Sequence, residues 1–269
     1  MGKALRTPFV VENRPGAAGQ IMYQQLSQAP ADGHTIGYMS SGTAILQVTH
    51  AKLPFNVQTD LTPLALIGEF SGLLVASAQA PGGSLEDLID HARNHPGALT
   101  YGSFGQGSQT HLQIARMLSI VGANMVHVSY RGEAPVMQAL ASGEIDFAIL
   151  ATYPEGMVNE GRIRVLATSA TRRLERHPKV PTLAEAGFPM LQTTPAWAGL
   201  CAPAGVPSQI AMRISQAAVQ ACGQPDVQVH LERLGYSIIG GGPESTRMAL
   251  ERDLQYYTEA ARAANVQFQ

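Results

Sequence analysis

The sequence predicts an α/β chain folded as two lobes. Strand-length apolar runs alternate with helix-length amphipathic runs from end to end, the pattern of mostly parallel sheets with helices on their faces. Its 269 residues suffice for two cores of ordinary size. No repeat, low-complexity tract or long linker interrupts the series, so crossings between lobes must be short. They are placed near Gly97 and Thr194, giving a discontinuous first lobe of residues 1–97 and 195–269 and a second lobe of residues 98–194.

Residues 8–12 read as a buried strand, because Phe9, Val10 and Val11 stand in a row. Asn13-Arg14-Pro15-Gly16 is a turn signal. Residues 19–29 suit a helix, and 34–39 form the next strand. Ser40-Ser41-Gly42-Thr43 is a loop able to cap a helix at 44–48. Strands follow at 64–67 and 73–77. Ser84 caps a helix with Glu86 and Asp87 in its first turn, which stops before Pro96-Gly97. Residues 99–103 are a strand, Gly105-Gln106-Gly107-Ser108 a Gly-rich loop, and Leu112, Ala115, Leu118 and Ile120 mark the helix after it. A strand at 125–130, a helix at 133–141 and strands at 146–150 and 162–168 continue the alternation. Residues 181–186 predict a short helix with Pro at its start. Residues 196–202 are a strand around Trp197. Helices at 207–221, 226–233 and 244–264 close the chain, with a short strand at 236–239.

Composition excludes several classes. The net charge of −2 gives no electrostatic case for nucleic acid or an anionic membrane surface. Gly, Pro or polar residues break the apolar stretches within about ten positions, too short to span a bilayer. Cys201 and Cys222 have no CxxC spacing, and two thiols alone cannot build a structural zinc site. Two separate, reduced, buried thiols are the plain reading, and a disulfide in an oxidising compartment stays open. The first six residues lack the apolar core of a signal peptide.

The strongest local feature is the strand–loop–helix unit around Gly105. Two glycines let the backbone turn tightly, and Gly107, Ser108 and Gln109 would offer free N–H groups, backed by the helix dipole, to a carboxylate or phosphate. An ordinary helix start accounts for the same residues equally well. No GK[ST] follows, so this is not a P-loop, and no acidic residue ends the next strand as a dinucleotide fold requires. Tyr130-Arg131-Gly132 ends a strand, at the edge where open α/β sheets gather ligands. A lone loop arginine is nevertheless more often solvated, and Tyr130 can equally be packing. His111 lies one turn into the Gly105 helix, and a structural role suits it better than catalysis. No GxSxG elbow, HExxH pair or acid–base pair is found, so neither a catalytic residue, a metal set nor a cofactor is assigned. Asp146 begins a strand and so faces the opposite end from the ligand edge.

Several stretches together resemble the Bug-type solute-binding receptors of tripartite tricarboxylate transporters (TctC-like). They are Val10-Val11-Glu12-Asn13-Arg14-Pro15-Gly16-Ala17-Ala18-Gly19, Ala31-Asp32-Gly33-His34-Thr35, Tyr101-Gly102-Ser103-Phe104-Gly105-Gln106-Gly107-Ser108-Gln109-Thr110-His111, and His127-Val128-Ser129-Tyr130-Arg131-Gly132-Glu133-Ala134-Pro135. Gly143-Glu144-Ile145-Asp146, Val180-Pro181-Thr182-Leu183-Ala184-Glu185-Ala186-Gly187 and Pro203-Ala204-Gly205-Val206-Pro207 complete the series. The resemblance implies a type II periplasmic binding protein: two α/β lobes with a ligand cleft between them. It implies a periplasmic, monomeric, non-enzymatic receptor that hands a small organic acid to a membrane permease. On this resemblance Gly105, Gly107 and Ser108 meet the ligand carboxylate, Ser41 and Gly42 belong to a first-lobe loop facing the cleft, and Tyr130 and Gly132 to a second-lobe loop near it. The competing readings are an α/β enzyme acting on a carboxylate or phosphate ester, with His111 or Tyr130 in the cleft, and a sensing or non-functional paralogue.

Two departures from the family pattern set further expectations. Relatives begin with an exported leader, a strand, a Pro/Gly-rich loop and a long helix, whereas this chain starts at that helix's tail. The first lobe is therefore expected to lack its N-terminal strand. Many relatives carry an acidic residue where Leu150 stands, so the expected ligand is a carboxylate without an amino group.

Overall fold

The fold is described from a computed structural model over residues 1–14, 16–50, 52–191 and 193–266. Pro15 of the expected turn lies outside the described residues. In chain order the elements are α1 (Gly2–Leu5), α2 (Gln20–Ser27), β1 (Gly37–Ser40), α3 (Ser41–Thr49), β2 (Leu61–Phe70), β3 (Leu73–Ser77), α4 (Leu85–Asn94), β4 (Thr100–Ser103), α5 (Gln109–Val121), β5 (Val126–Ser129), α6 (Glu133–Ser142), β6 (Phe147–Leu150), α7 (Glu155–Asn159), β7 (Ile163–Thr168), β8 (Ala196–Pro203), α8 (Ser208–Cys222), α9 (Pro225–Arg233), β9 (Ser237–Gly241) and α10 (Pro243–Ala263). Among the described residues no helix is long and apolar enough to cross a membrane.

The chain divides into two compact units. One holds Met1–Phe70 and Ala196–Tyr256, the other Ser71–Pro195 and Tyr257–Val266. This corrects the crossing expected near Gly97. The break falls between Phe70 and Ser71, because β3 pairs with β6 and β7 and so carries α4 into the second unit. The return crossing falls between Pro195 and Ala196.

The first unit is built on a four-stranded sheet of order β1-β8-β2-β9. All of its pairings are antiparallel, against the expectation of mostly parallel sheets. On one face α8 presses Ala211 and Ile214 onto Leu64 and Ala202. Residues 8–12 do not form the expected buried strand. Phe9, Val10 and Val11 are 47%, 86% and 85% exposed, and no strand of the sheet pairs with them. An apolar run becomes a strand only when a neighbouring backbone takes its N–H and C=O groups.

The second unit is a five-stranded mixed sheet of order β5-β4-β6-β3-β7. Strands β5, β4 and β6 run parallel, and β3 runs antiparallel to β6 and β7. Alternate residues face opposite sides. Leu74, Tyr101, Phe147 and Ile149 meet Leu88 and Ile89 of α4 and Ile114, Met117 and Leu118 of α5. Val75, Ala148 and Leu150 meet Val136 and Leu140 of α6. Each such aliphatic side chain, once buried, contributes about 1.5–3 kcal/mol. The unit is thus a sheet covered on both faces.

Capping explains why these helices start where they do. The Ser84 hydroxyl accepts the Asp87 N–H, and the Asp87 carboxylate accepts the Ser84 N–H, a reciprocal box that opens α4. Gly122 and Gly143 close α5 and α6 in the left-handed region. The short helix expected at 181–186 is not formed. Thr182 instead bridges Thr168 at the end of β7, and tight turns follow it.

Candidate carboxylate site

Two of the loops singled out in the sequence, at Gly105 and at Tyr130, lie at one edge of the second unit's sheet. Ser103 of β4 lies opposite Ser129 of β5, and Gly102 opposite Ala148 of β6, so the C-terminal ends of all three parallel strands lie together. From β4 the chain leaves to α5 on one face, and from β5 it leaves to α6 on the other. The β4 connection runs toward β5, whereas β6 leaves to α7 on the opposite face and in the other direction, so the crevice where α/β sheets bind ligands lies at the carboxyl ends of β4 and β6. The Gly105 turn flanks it.

The Gly105 turn is wired internally. The Ser103 hydroxyl accepts the Gly105 N–H at 3.2 Å and donates to the Gly105 carbonyl at 3.0 Å. The same oxygen lies 2.7 Å from His127 Nε2. Ser108 donates its N–H to the Gly105 carbonyl at 3.1 Å. Gly107 donates its N–H to His111 Nδ1 at 3.0 Å. Ser108 is the N-cap of α5, and its hydroxyl accepts the His111 N–H.

The three amides expected to hold the ligand, those of Gly105, Gly107 and Ser108, therefore all have protein acceptors. Among the described residues, no protein acceptor meets the N–H groups of Gln106, Gln109 and Thr110. The amides without a protein acceptor thus lie one or two residues from those expected to be free, apart from Gln109. The physical reason is that Ser108 stands outside the helix as its cap, so the first open helical amides belong to Gln109 and Thr110. Gln109 is already among the expected free donors; locating the N-cap at Ser108 in the sequence adds Thr110.

Tyr130 does not present its hydroxyl at this edge. Its ring turns back over the sheet near Gly102, where a side chain at position 102 would stand 3.5 Å from it and 2.4 Å from Ile145. Its hydroxyl donates to Glu144 Oε1 at 2.9 Å. Burial, with the Glu144 carboxylate behind it, pushes the phenol up to about 12. Gly132 is the N-cap of α6 at φ 110°, with no side-chain cap and open space where a Cβ would stand. Glu133, which sequence reasoning passed over, holds the end of β6 in place: its carboxylate accepts the Ala151 and Thr152 N–H groups at 2.8 and 3.0 Å. Leu150 is wholly buried in the core under α6, and its side chain faces no ligand edge. At the other end of the sheet Asp146 accepts from the Thr100 N–H and hydroxyl.

His111 and His127 form a stacked pair, ring centroids 3.9 Å apart and planes at 14°, with Tyr101 beside His127 at 5.0 Å. Burial, then the neighbouring His127, lowers His111 to about 4, so it is neutral at pH 7. Burial also lowers His127. Both candidate enzyme side chains, His111 and Tyr130, are thus committed to protein partners.

In the first unit Ser41 and Gly42 open α3. The Gly42 N–H donates to the Ser40 hydroxyl at 3.2 Å. The Ser41 hydroxyl is buried, accepting the Trp197 N–H at 3.1 Å and bonding the Asp253 carboxyl. It is used inside the protein rather than offered to a ligand. Asp253, wholly buried, accepts the Trp197 indole N–H at 2.8 Å, and burial raises its carboxyl above the ordinary range. Among the described residues both cysteines are buried and free, and no group of three metal-ligating side chains is found.

The comparisons with known proteins agree with this architecture. The profile of the tripartite tricarboxylate transporter family receptor, TctC, matches residues 1–249. A UPF0065 protein from the tcbD-tcbE intergenic region of Pseudomonas sp. strain P51 is 32% identical over 91% of this chain and 73% of its own length. Protein BugT of Bordetella pertussis is 28% identical over 96% of this chain and 80% of its own. Among solved structures, an R. palustris protein with adipate superposes at TM-score 0.80 and 29% identity, covering 100% of this chain and 90% of that one. MatC of Rhodopseudomonas palustris with bound malate gives TM-score 0.78 and 28% identity, covering 96% and 90%. These neighbours carry the type II periplasmic binding protein fold, and the chain belongs to the tripartite tricarboxylate transporter receptor family, TctC.

Proposed function

We propose that this transport receptor captures a small organic carboxylate, and that the carboxylate is received by the Gln106, Gln109 and Thr110 amides at the start of α5. One observation carries the reading: among the described residues these N–H groups find no protein acceptor at the start of α5, just past the carboxyl end of β4, where the dipole of a 13-residue helix favours an anion. The adipate and malate on the R. palustris neighbours supply the ligand class. Gly132, uncapped at α6, is a candidate further contact.

The ligand is a mono- or dicarboxylate without an amino group. The Glu133 carboxylate at the end of β6 is committed to the 151–152 backbone, so an ammonium there would have to displace those N–H groups. No turnover is proposed, since the imidazole and phenol nearest the edge are already bonded. The remaining assignments follow the family: a periplasmic, monomeric receptor delivering its ligand to a membrane permease.

Calorimetric titration with malate, adipate, succinate and aspartate tests the reading. Saturable binding of at least one deaminated acid, with aspartate weaker than malate, is expected. Failure of every acid to bind refutes the receptor reading, and tighter binding of aspartate refutes the ligand class.

A further inference from the structure

We propose that His111 is the positioning residue of the carboxylate turn: as a neutral acceptor for the Gly107 N–H it fixes the turn that leaves the α5 amides open, and protonating it undoes that turn. This rests on the reading of the α5 start as the carboxylate receiver.

The tautomers follow from the partners. A backbone N–H can only donate, so the Nδ1 that meets Gly107 at 3.0 Å carries no proton, and the ring's proton sits on Nε2. Ser103 has a single proton. Its oxygen accepts from Gly105, and its proton goes to the Gly105 carbonyl. His127 Nε2, 2.7 Å from the same oxygen, pairs with it as donor or, where the Ser103 proton turns to it instead, as acceptor. The two stacked histidines are therefore not equivalent. His127 can take a second proton and keep its bond to Ser103. His111 cannot be protonated on Nδ1 without losing Gly107.

Besides the Ser108 N–H bond to the Gly105 carbonyl, which closes the turn across Gly107, His111 is the contact that fixes it among the described residues. Gly107 sits at φ 74°, and no atom lies within 4 Å of where its Cβ would stand, so packing does not enforce the left-handed backbone. The titratable groups facing His111 are His127 on β5 and Tyr101 on β4. Arg116, further along α5, is engaged with Glu259. Burial first, and the stacked His127 ring 3.9 Å away second, disfavour a charge on His111 and keep it neutral through the physiological range.

Two kinds of measurement test this. In the ligand-free protein, imidazole 15N spectra should show His111 Nδ1 unprotonated at pH 7. It should titrate at acid pH in step with the Gly107 amide resonance. His111→Gln, whose side-chain oxygen can accept but cannot titrate, should keep the Gly107 resonance near its native position and abolish that transition. His111→Leu should weaken malate binding about tenfold, the loss of one hydrogen bond's worth of preorganisation, with His111→Gln recovering most of it. Protonation of Nδ1 at pH 7, a Gly107 resonance indifferent to His111 titration, or equal malate affinity in His111→Leu overturns the proposal. If the native protein binds no acid at all while the spectral coupling holds, the carboxylate reading fails and the His111–Gly107 linkage stands.

Discussion

Replacing Asp253 by Ala removes a wholly buried carboxylate and leaves two buried donors stranded, while the third, the Arg252 guanidinium, is 40% exposed and keeps its access to water. The Trp197 indole N–H, 2.8 Å from Asp253 Oδ2, sits in a site 1% exposed, and the Ser41 hydroxyl loses the same acceptor. A buried donor without a partner costs about 1–3 kcal/mol, so Asp253→Ala should destabilise the first unit by about 2–5 kcal/mol. Asp253→Asn keeps an oxygen for the indole and should lose about 1 kcal/mol or less. The two variants also differ in pH response. Burial raises the Asp253 carboxyl in the folded state. Its contribution is then fully present below the unfolded carboxylate range and is lost as pH rises through the folded value. Asparagine has no such term, so wild type should lose ground to Asp253→Asn as pH rises from about 4. Trp197 is the only tryptophan, so urea unfolding followed by its fluorescence reads this site directly. Equal losses for Ala and Asn, or a loss under about 0.5 kcal/mol for Ala, would refute the reasoning.

Other outcomes follow from the same geometry. Tyr130→Phe should leave malate affinity within about twofold, because the hydroxyl serves Glu144 rather than the ligand edge; calorimetry showing a tenfold loss would return Tyr130 to the site. Gly107→Ala should lower stability by about 1–2 kcal/mol through its left-handed backbone alone, since no neighbour obstructs the added methyl, and thermal unfolding measures it. Cys201 and Cys222 should resist a thiol reagent at pH 8 until the protein is unfolded. Burial pushes Cys201 up to about 12 and also raises Cys222; stoichiometric labelling of the native chain would contradict this.

Much of this architecture is legible in the sequence where local signals act alone. Ser84 and Asp87 announce α4, and Gly105, Gly107 and Ser108 announce the turn before α5, because capping and left-handed backbone depend on a few adjacent residues. What fails is what depends on distant partners. Phe9, Val10 and Val11 look like any buried strand, yet pairing decides, and no strand of the sheet pairs with them. The unit boundary is not legible because β3 looks alike whether it joins one sheet or the other, and only its register with β6 and β7 assigns it. The site shows the same division. Its edge follows from the strand–helix order, but the donors depend on which acceptors reach which amides. His111 takes Gly107, Gly105 takes Ser108, and Ser41 turns inward to Trp197 and Asp253.

The donor assignment is tested most directly by following the backbone amide resonances of the chain during a malate titration at pH 7. The account predicts that Gln106, Gln109 and Thr110 move saturably downfield as they acquire an acceptor, while the already bonded Gly105, Gly107 and Ser108 amides move much less. Saturable binding that leaves Gln109 and Thr110 unmoved would contradict it.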